Sequence, residues 1–147
     1  MNLPRYEYFA SNDQKYFSFY SDGPKGQIKK IVVYSKMSED PIVYNLAFGD
    51  EDPHTKQIND DIRSNNNDRD MVLATVAITV NDFSERYGNH YIHAVGRDAA
   101  RTRLYQMSIA RLIEEIRQDF EILGYINDGW QSFEPNVNYD AFLVRRK

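Results

Sequence analysis

Met71-Val72-Leu73-Ala74-Thr75-Val76-Ala77-Ile78-Thr79-Val80-Asn81-Asp82-Phe83-Ser84-Glu85-Arg86-Tyr87 is the stretch on which the fold turns. Its even positions Val72, Ala74, Val76, Ile78 and Val80 alternate with Thr75 and Thr79, as in a half-buried strand. The same residues place Val72, Val76, Val80, Phe83 and Tyr87 at spacings of four, four, three and four, which is one face of a helix. Length separates the two readings. Strands mostly run ~3–10 residues, and these 17 residues run without a Gly or Pro turn signal. A helix is therefore predicted. Asn67 or Asp68 supplies its N-cap, Asp68 and Asp70 suit the positive end of its dipole, and Gly88 stops it.

Outward from that helix, the first third of the chain reads as β. Tyr16 to Ser21 is aromatic-rich and free of Gly and Pro, and Asp22-Gly23-Pro24-Lys25-Gly26 carries turn chemistry. Ile28 to Lys36 completes a hairpin, and Ile42 to Phe48 adds a third strand stopped by Gly49-Asp50. Tyr6 to Phe9 is a candidate edge strand. Residues 50–66 are polar, contain Pro53, and are expected to form a loop. C-terminal to the helix, His90 to Val95 reads as a short strand. Asp98 to Gln118 reads as a second helix, with Tyr105, Ile109, Leu112, Ile116 and Phe120 on one stripe. Phe120 to Ile126 and Ala141 to Arg145 read as closing strands. The expected fold class is α+β, a mainly antiparallel sheet with two helices in the order β-β-β-α-β-α-β-β.

At 147 residues and 17.3 kDa, without repeat or Gly/Ser linker, the chain is expected to be a single domain spanning 1–147. No run of ~18 apolar residues suggests a membrane span, no apolar signal core follows Met1, and there is no cysteine. A cytoplasmic location is the expectation. The formal net charge is −4, which disfavours a general nucleic-acid-binding role, because such affinity comes largely from neutralised phosphates. The charge is uneven: residues 50–87 carry nine acids and four bases, residues 88–147 eight of each.

Very short connections join the first helix, the strand at 90–95 and the second helix, so the two helices should run parallel and start at one end. Helix starts present unsatisfied N–H groups and a positive dipole end. The second also carries Arg97, Arg101 and Arg103, donors suited to phosphate or carboxylate. Asp68, Arg69 and Asp70 stand at the other helix start, and Asp50 at the end of the third strand. These seven residues are the candidate anion- or partner-binding set. Arg101 or Arg103 is expected within reach of Asp68 or Asp70, with Arg101 structural and Arg103 exposed. Whether the arginines serve an ion pair or a ligand stays open.

Other chemistry is thin. His90 and His93 lie three apart on a strand and should project from opposite faces, and the acidic loop around His54 lacks calcium-loop spacing. No metal or cofactor is expected, and neither a nucleophile signature nor a phosphate loop is present. The aromatics fit core packing, except that Trp130 lies among turn formers.

The segments GPKGQIKK at 23–30, VYNLAFGD at 43–50, NNDRDMVLATV at 66–76 and ARTRLY at 100–105 carry a resemblance. In these the chain resembles a family of small bacterial proteins known only as a domain of unknown function. The resemblance implies no activity, but it makes the polar segments 45–50, 66–70 and 100–105 hallmarks that either meet in one site or tie the fold together. Two functions follow as expectations. The first is a non-enzymatic module that binds a protein partner or a ligand. The second is a small RNA-acting enzyme of the toxin kind, with Arg101 and Arg103 stabilising charge and His93 or Tyr105 as acid or base.

Overall fold

A computed structural model describes residues 1–59 and 66–147. Part of the loop expected at 50–66 therefore lies outside the described residues. The strands are β1 (Tyr8–Ala10), β2 (Tyr16–Gly23), β3 (Gly26–Glu39), β4 (Ile42–Asp50), β5 (Tyr91–Ala94), β6 (Phe120–Ile126), β7 (Gly129–Ser132) and β8 (Ala141–Arg146). The helices are α1 (Arg69–Tyr87), between β4 and β5, and α2 (Ala99–Asp119), between β5 and β6. The strands form one sheet in the order β1-β2-β3-β4-β5-β8-β6-β7. Only the β4–β5 neighbours are parallel. The fold is α+β, and the stretch that decides it is a helix. No described helix is long and apolar enough to cross a membrane.

Alternation along the strands sorts side chains to two faces. Phe17, Phe19, Val32, Tyr34, Tyr44, Leu46 and Ile92 point inward and join Val72, Val76, Val80, Phe83, Ile109, Ile113 and Ile116 of the helices in one core. Both helices thus cover one face of the sheet. Each links parallel strands, because β5 and β6 both run opposite to β8, so α1 and α2 run in the same direction. Burying side chains of this size stabilises by roughly 1.5–3 kcal/mol each.

Several boundaries moved for physical reasons. β4 continues through Gly49 to Asp50, because at Gly49 a Cβ would lie 2.7 Å from the Ile58 side chain. Glycine there lets the 51–58 turn pack on the strand; it does not end it. β3 extends to Glu39 past an irregularity at Lys36/Ser38. Residues 127–140, the Gly/Asn/Pro-rich connection between the two closing strands, contain the additional strand β7. Asn127 and Asp128, at φ 53° and 60°, form a two-residue turn of the kind that matches strand twist. Trp130 lies on β7 and is 40% exposed, with its ring 5.0 Å from Tyr125.

The N-terminal segment is tied to α1. The Tyr6 amide donates to Thr75 Oγ1 at 2.9 Å, and the Tyr8 hydroxyl donates to Asp82. Burial, then that carboxylate, pushes the Tyr8 phenol up to about 12.

Candidate functional site

β5 stops at Ala94, opposite Leu46, while β4 runs on to Asp50. Among the described residues, Ala47 to Asp50 therefore have β3 on one side and no strand on the other. Both helices begin at this notch, but out of step. The guanidinium of Arg111, in the middle of α2, grips the carboxylate of Asp70 in the first turn of α1, with Nε at 3.1 and 3.2 Å and Nη2 at 2.8 Å. Ten residues of helix separate Arg111 from Arg101, a rise of about 15 Å. The first turns of α2 consequently overhang the start of α1.

Local chemistry fixes each helix start. The Asp98 carboxylate caps α2 by accepting from the Arg101 amide at 2.8 Å. The Gly96 amide donates to Thr102 Oγ1 at 3.0 Å, and a Cβ at Gly96 would lie 2.5 Å from the Thr102 nitrogen, so only glycine permits this approach. Asp68 holds the N-cap position of α1 without a capping hydrogen bond. Its carboxylate accepts instead from the Tyr6 hydroxyl at 2.6 Å and from the Ser21 hydroxyl. Burial and the adjacent Asp68 raise the Tyr6 phenol above its ordinary range. Asn66 pins the segment before α1 to the β2–β3 turn, accepting from the Lys25 amide and donating to the Gly26 carbonyl, both at 2.8 Å.

Between the overhanging α2, the start of α1 and the end of β4 opens a cleft; it is part of a cavity of about 1120 Å³ whose lining reaches Val80, Ile116, Phe120 and Val144. Its helix-side wall is apolar, with Leu46, Phe48, Val72, Val76, Leu104 and Ile109. Tyr105 stands 6.2 Å from Phe48, ring to ring. Through the notch the cavity continues onto the outer face of the sheet, past Val33, Ala47 and Gly49. Its charged groups are Lys30, Lys56, Arg69, Arg97 and Arg101 against Asp50 and Asp68. Lys30 and Asp50 form an ion pair on the inward face, 8% and 6% exposed.

Of the seven candidate residues, Asp50, Asp68, Arg69, Arg97 and Arg101 line this one cavity. Asp70 and Arg103 do not. The expected pairing of Asp68 or Asp70 with Arg101 or Arg103 is corrected: Asp70 belongs to Arg111, and Asp68 to the Tyr6 and Ser21 hydroxyls. The stagger of the helices is the reason, since a shared end does not imply a shared level. Arg101 is half-buried and Arg103 exposed, and Arg97, Arg101 and Tyr105 are each engaged within the fold. His93 is excluded from the group. It alternates with inward Ile92, pairs with Asn45 on the outer face at 3.1 Å, and so lies across the sheet from the helix starts. Burial holds its imidazole below the usual range. His90 packs 6.2 Å from Tyr44. No group of three metal-ligating side chains occurs among the described residues.

Lys30 and Ser21 were not among the sequence candidates, and Asn66 entered only as part of the polar segment 66–70. Lys30 sits in an alternating strand where a charge on the buried face was the available signal.

The arrangement defines a class: a two-layer α+β fold, one sheet covered on one face by two helices, with an open cleft where both crossover helices begin. The chain belongs to DUF6934, a family of unknown function, whose model matches residues 2–147. Comparison with curated proteins and with solved structures returned no match.

Proposed function

We propose that the protein is a small-molecule-binding module whose site is the cleft between α1, α2 and the end of β4. The observation that carries this reading is the cavity of about 1120 Å³. Small-molecule sites typically occupy ~300–1,000 Å³ with apolar walls and a few convergent polar groups, and the part of this cavity on the helix side of the sheet has that character. Three separated sequence segments, 46–50, 66–69 and 97–105, contribute to its wall. An acidic surface for a protein partner is supported less well, because Asp50 is buried against Lys30 and Asp68 is held by two hydroxyls. The RNA-acting alternative loses His93 to the opposite face and keeps only Arg101 and Tyr105 on one wall.

Nile red, a neutral dye whose emission rises in apolar surroundings, tests the reading. The wild-type chain should bind it in native buffer, and Val76→Trp, which fills the cleft, should abolish the signal while retaining a cooperative unfolding transition. Equal dye binding by both proteins would place the dye elsewhere and remove the support.

A further inference from the structure

We infer that the sheet face turned away from the helices docks a second copy of this chain, as a weak dimer with two-fold symmetry, whatever the cleft binds. Both helices pack on the inward face, so among the described residues the outer face of β4, β5, β8, β6 and β7 has no helical cover. A sheet solvated on one side normally alternates apolar inward with polar outward. Here the outward positions break that rule. Val43 on β4, His93 on β5, Leu143 on β8, Leu123 and Tyr125 on β6 and Trp130 on β7 form one patch across five strands, through the pairs His93–Leu143, Leu143–Leu123 and Tyr125–Trp130. Although β8 and β6 stand between their strands, the rings of His93 and Trp130 lie 6.4 Å apart, so the indole leans inward over the patch.

The occupant is argued from charge and area. The charged residues at the outward positions of these five strands are Arg145 and Glu121, and they are paired at 2.9 Å. The Tyr91 hydroxyl donates to the same carboxylate at 2.7 Å, and the Arg145 guanidinium lies 4.5 Å over the Tyr91 ring. Nearer the middle, His93 Nδ1 and Asn45 Oδ1 satisfy each other at 3.1 Å. The patch thus offers a charged partner no field to read. Two chains of net charge −4 repel on balance, and this neutral face lets them meet without opposing like charges. Apolar and internally balanced, it is complementary to itself, as an isologous interface requires. Five strands spaced ~4.8 Å and five residues rising ~3.3 Å each give about 24 by 17 Å, roughly 400 Å² per copy. Twice that falls short of the ~1,200–2,000 Å² of a standard interface, so the dissociation constant is on the order of 100 µM.

Sedimentation equilibrium of the full chain from about 10 µM to about 1 mM, with fluorescence read on the same samples, tests the inference. The apparent mass should climb from that of the monomer toward twice that value. Trp130 is the single tryptophan, and its emission should shift to the blue over the same range as its exposed part is covered. Leu143→Glu should weaken association by about tenfold or more, because it places an unpaired charge in the interface. Trp130→Ser, at the exposed margin, takes its place should Leu143→Glu lose its cooperative unfolding transition. A dimer that neither substitution weakens, or one that forms with no change in Trp130 emission, would overturn the inference. So would a chain that stays monomeric at every concentration. If such a monomer retains a lysate protein that Leu143→Glu loses, the face belongs to a different partner.

Discussion

At the end of the core where α1 finishes, Phe83 stacks on Tyr34 at 4.2 Å and on Tyr87 at 4.7 Å, with Tyr44 edge-on at 4.8 Å. The most deeply buried hydroxyl of that cluster is satisfied: that of Tyr34 shares a hydrogen bond with Thr79 Oγ1 at 2.8 Å, and burial raises its phenol. At the end where both helices start, the same sheet and the same two helices enclose a cavity rimmed by arginine and lysine. Along α1 the cavity lining runs from Asp68 to Val80, and the stacked rings follow at Phe83 and Tyr87. Their difference teaches where each task would reside, with cohesion at the aromatic end and, on the binding role proposed above, recognition at the open one. It also explains why a charged group such as Lys30 is tolerated on a buried face only where Asp50 stands beside it.

The contrast breaks most visibly on deletion of side chains. Phe83→Ala should lower stability in urea by about 3–5 kcal/mol, the range for an aromatic residue removed from a packed core. Val76→Ala, on the cleft wall, should cost about 1 kcal/mol, because it borders space already empty. Equal losses would erase the distinction. Next in size, Asp50→Ala should cost about 3 kcal/mol by stranding a buried ammonium. Replacing both members, Lys30→Met with Asp50→Leu, should restore most of that loss. Failure of the double variant to recover would mean the pair is held for more than mutual compensation.

A smaller effect of opposite sign is expected at Gln106. Its side-chain oxygen and nitrogen are buried on α2 without a hydrogen-bond partner. Gln106→Met should stabilise by about 1 kcal/mol, since an unsatisfied buried amide carries its full desolvation cost. A destabilised variant would show that the amide is used. Smaller again is the Asp70–Arg111 pair, about half exposed on both sides. Asp70→Ala should cost under ~1 kcal/mol in dilute buffer and less in 1 M salt.

The smallest expected effect depends on pH. His93 titrates below its ordinary value because it is partly buried. The unfolded chain therefore binds its proton first on acidification, and the stability associated with neutral His93 is whole above pH ~6.5 and lost as pH falls through the folded value. His93→Gln should flatten the stability profile in that window. Glu121 is held below its usual range by hydrogen bonds from Tyr91 and then Arg145, so its loss of stability comes later, in more acidic solution. An unchanged slope for His93→Gln would assign the window to another group.

Much of the fold was legible because local rules and tertiary packing agree. The α1 stripe at Val72, Val76, Val80, Phe83 and Tyr87 packs as its spacing requires, Gly88 ends the helix at φ 100°, and β6 spans the residues its pattern indicated. Gly49 misled, because a glycine chosen for close approach carries the same letter as one chosen for a turn. The parallel course of the helices followed from short connections. Their stagger did not, since no local signal encodes how far one helix slides past another. That slide decides why Asp70 meets Arg111 and why Arg101 faces a cleft. The site's residue types were thus readable, and their partners were not.

The most direct test of the account is a backbone amide spectrum of the ¹⁵N-labelled full chain titrated with Nile red. The account predicts shifts centred on Phe48, Gly49, Val72, Val76, Arg101 and Tyr105, with Phe83, Tyr87, His93 and Trp130 unmoved. Shifts centred on the outer-face pair His93 and Trp130, or on the Phe83 cluster, would contradict it.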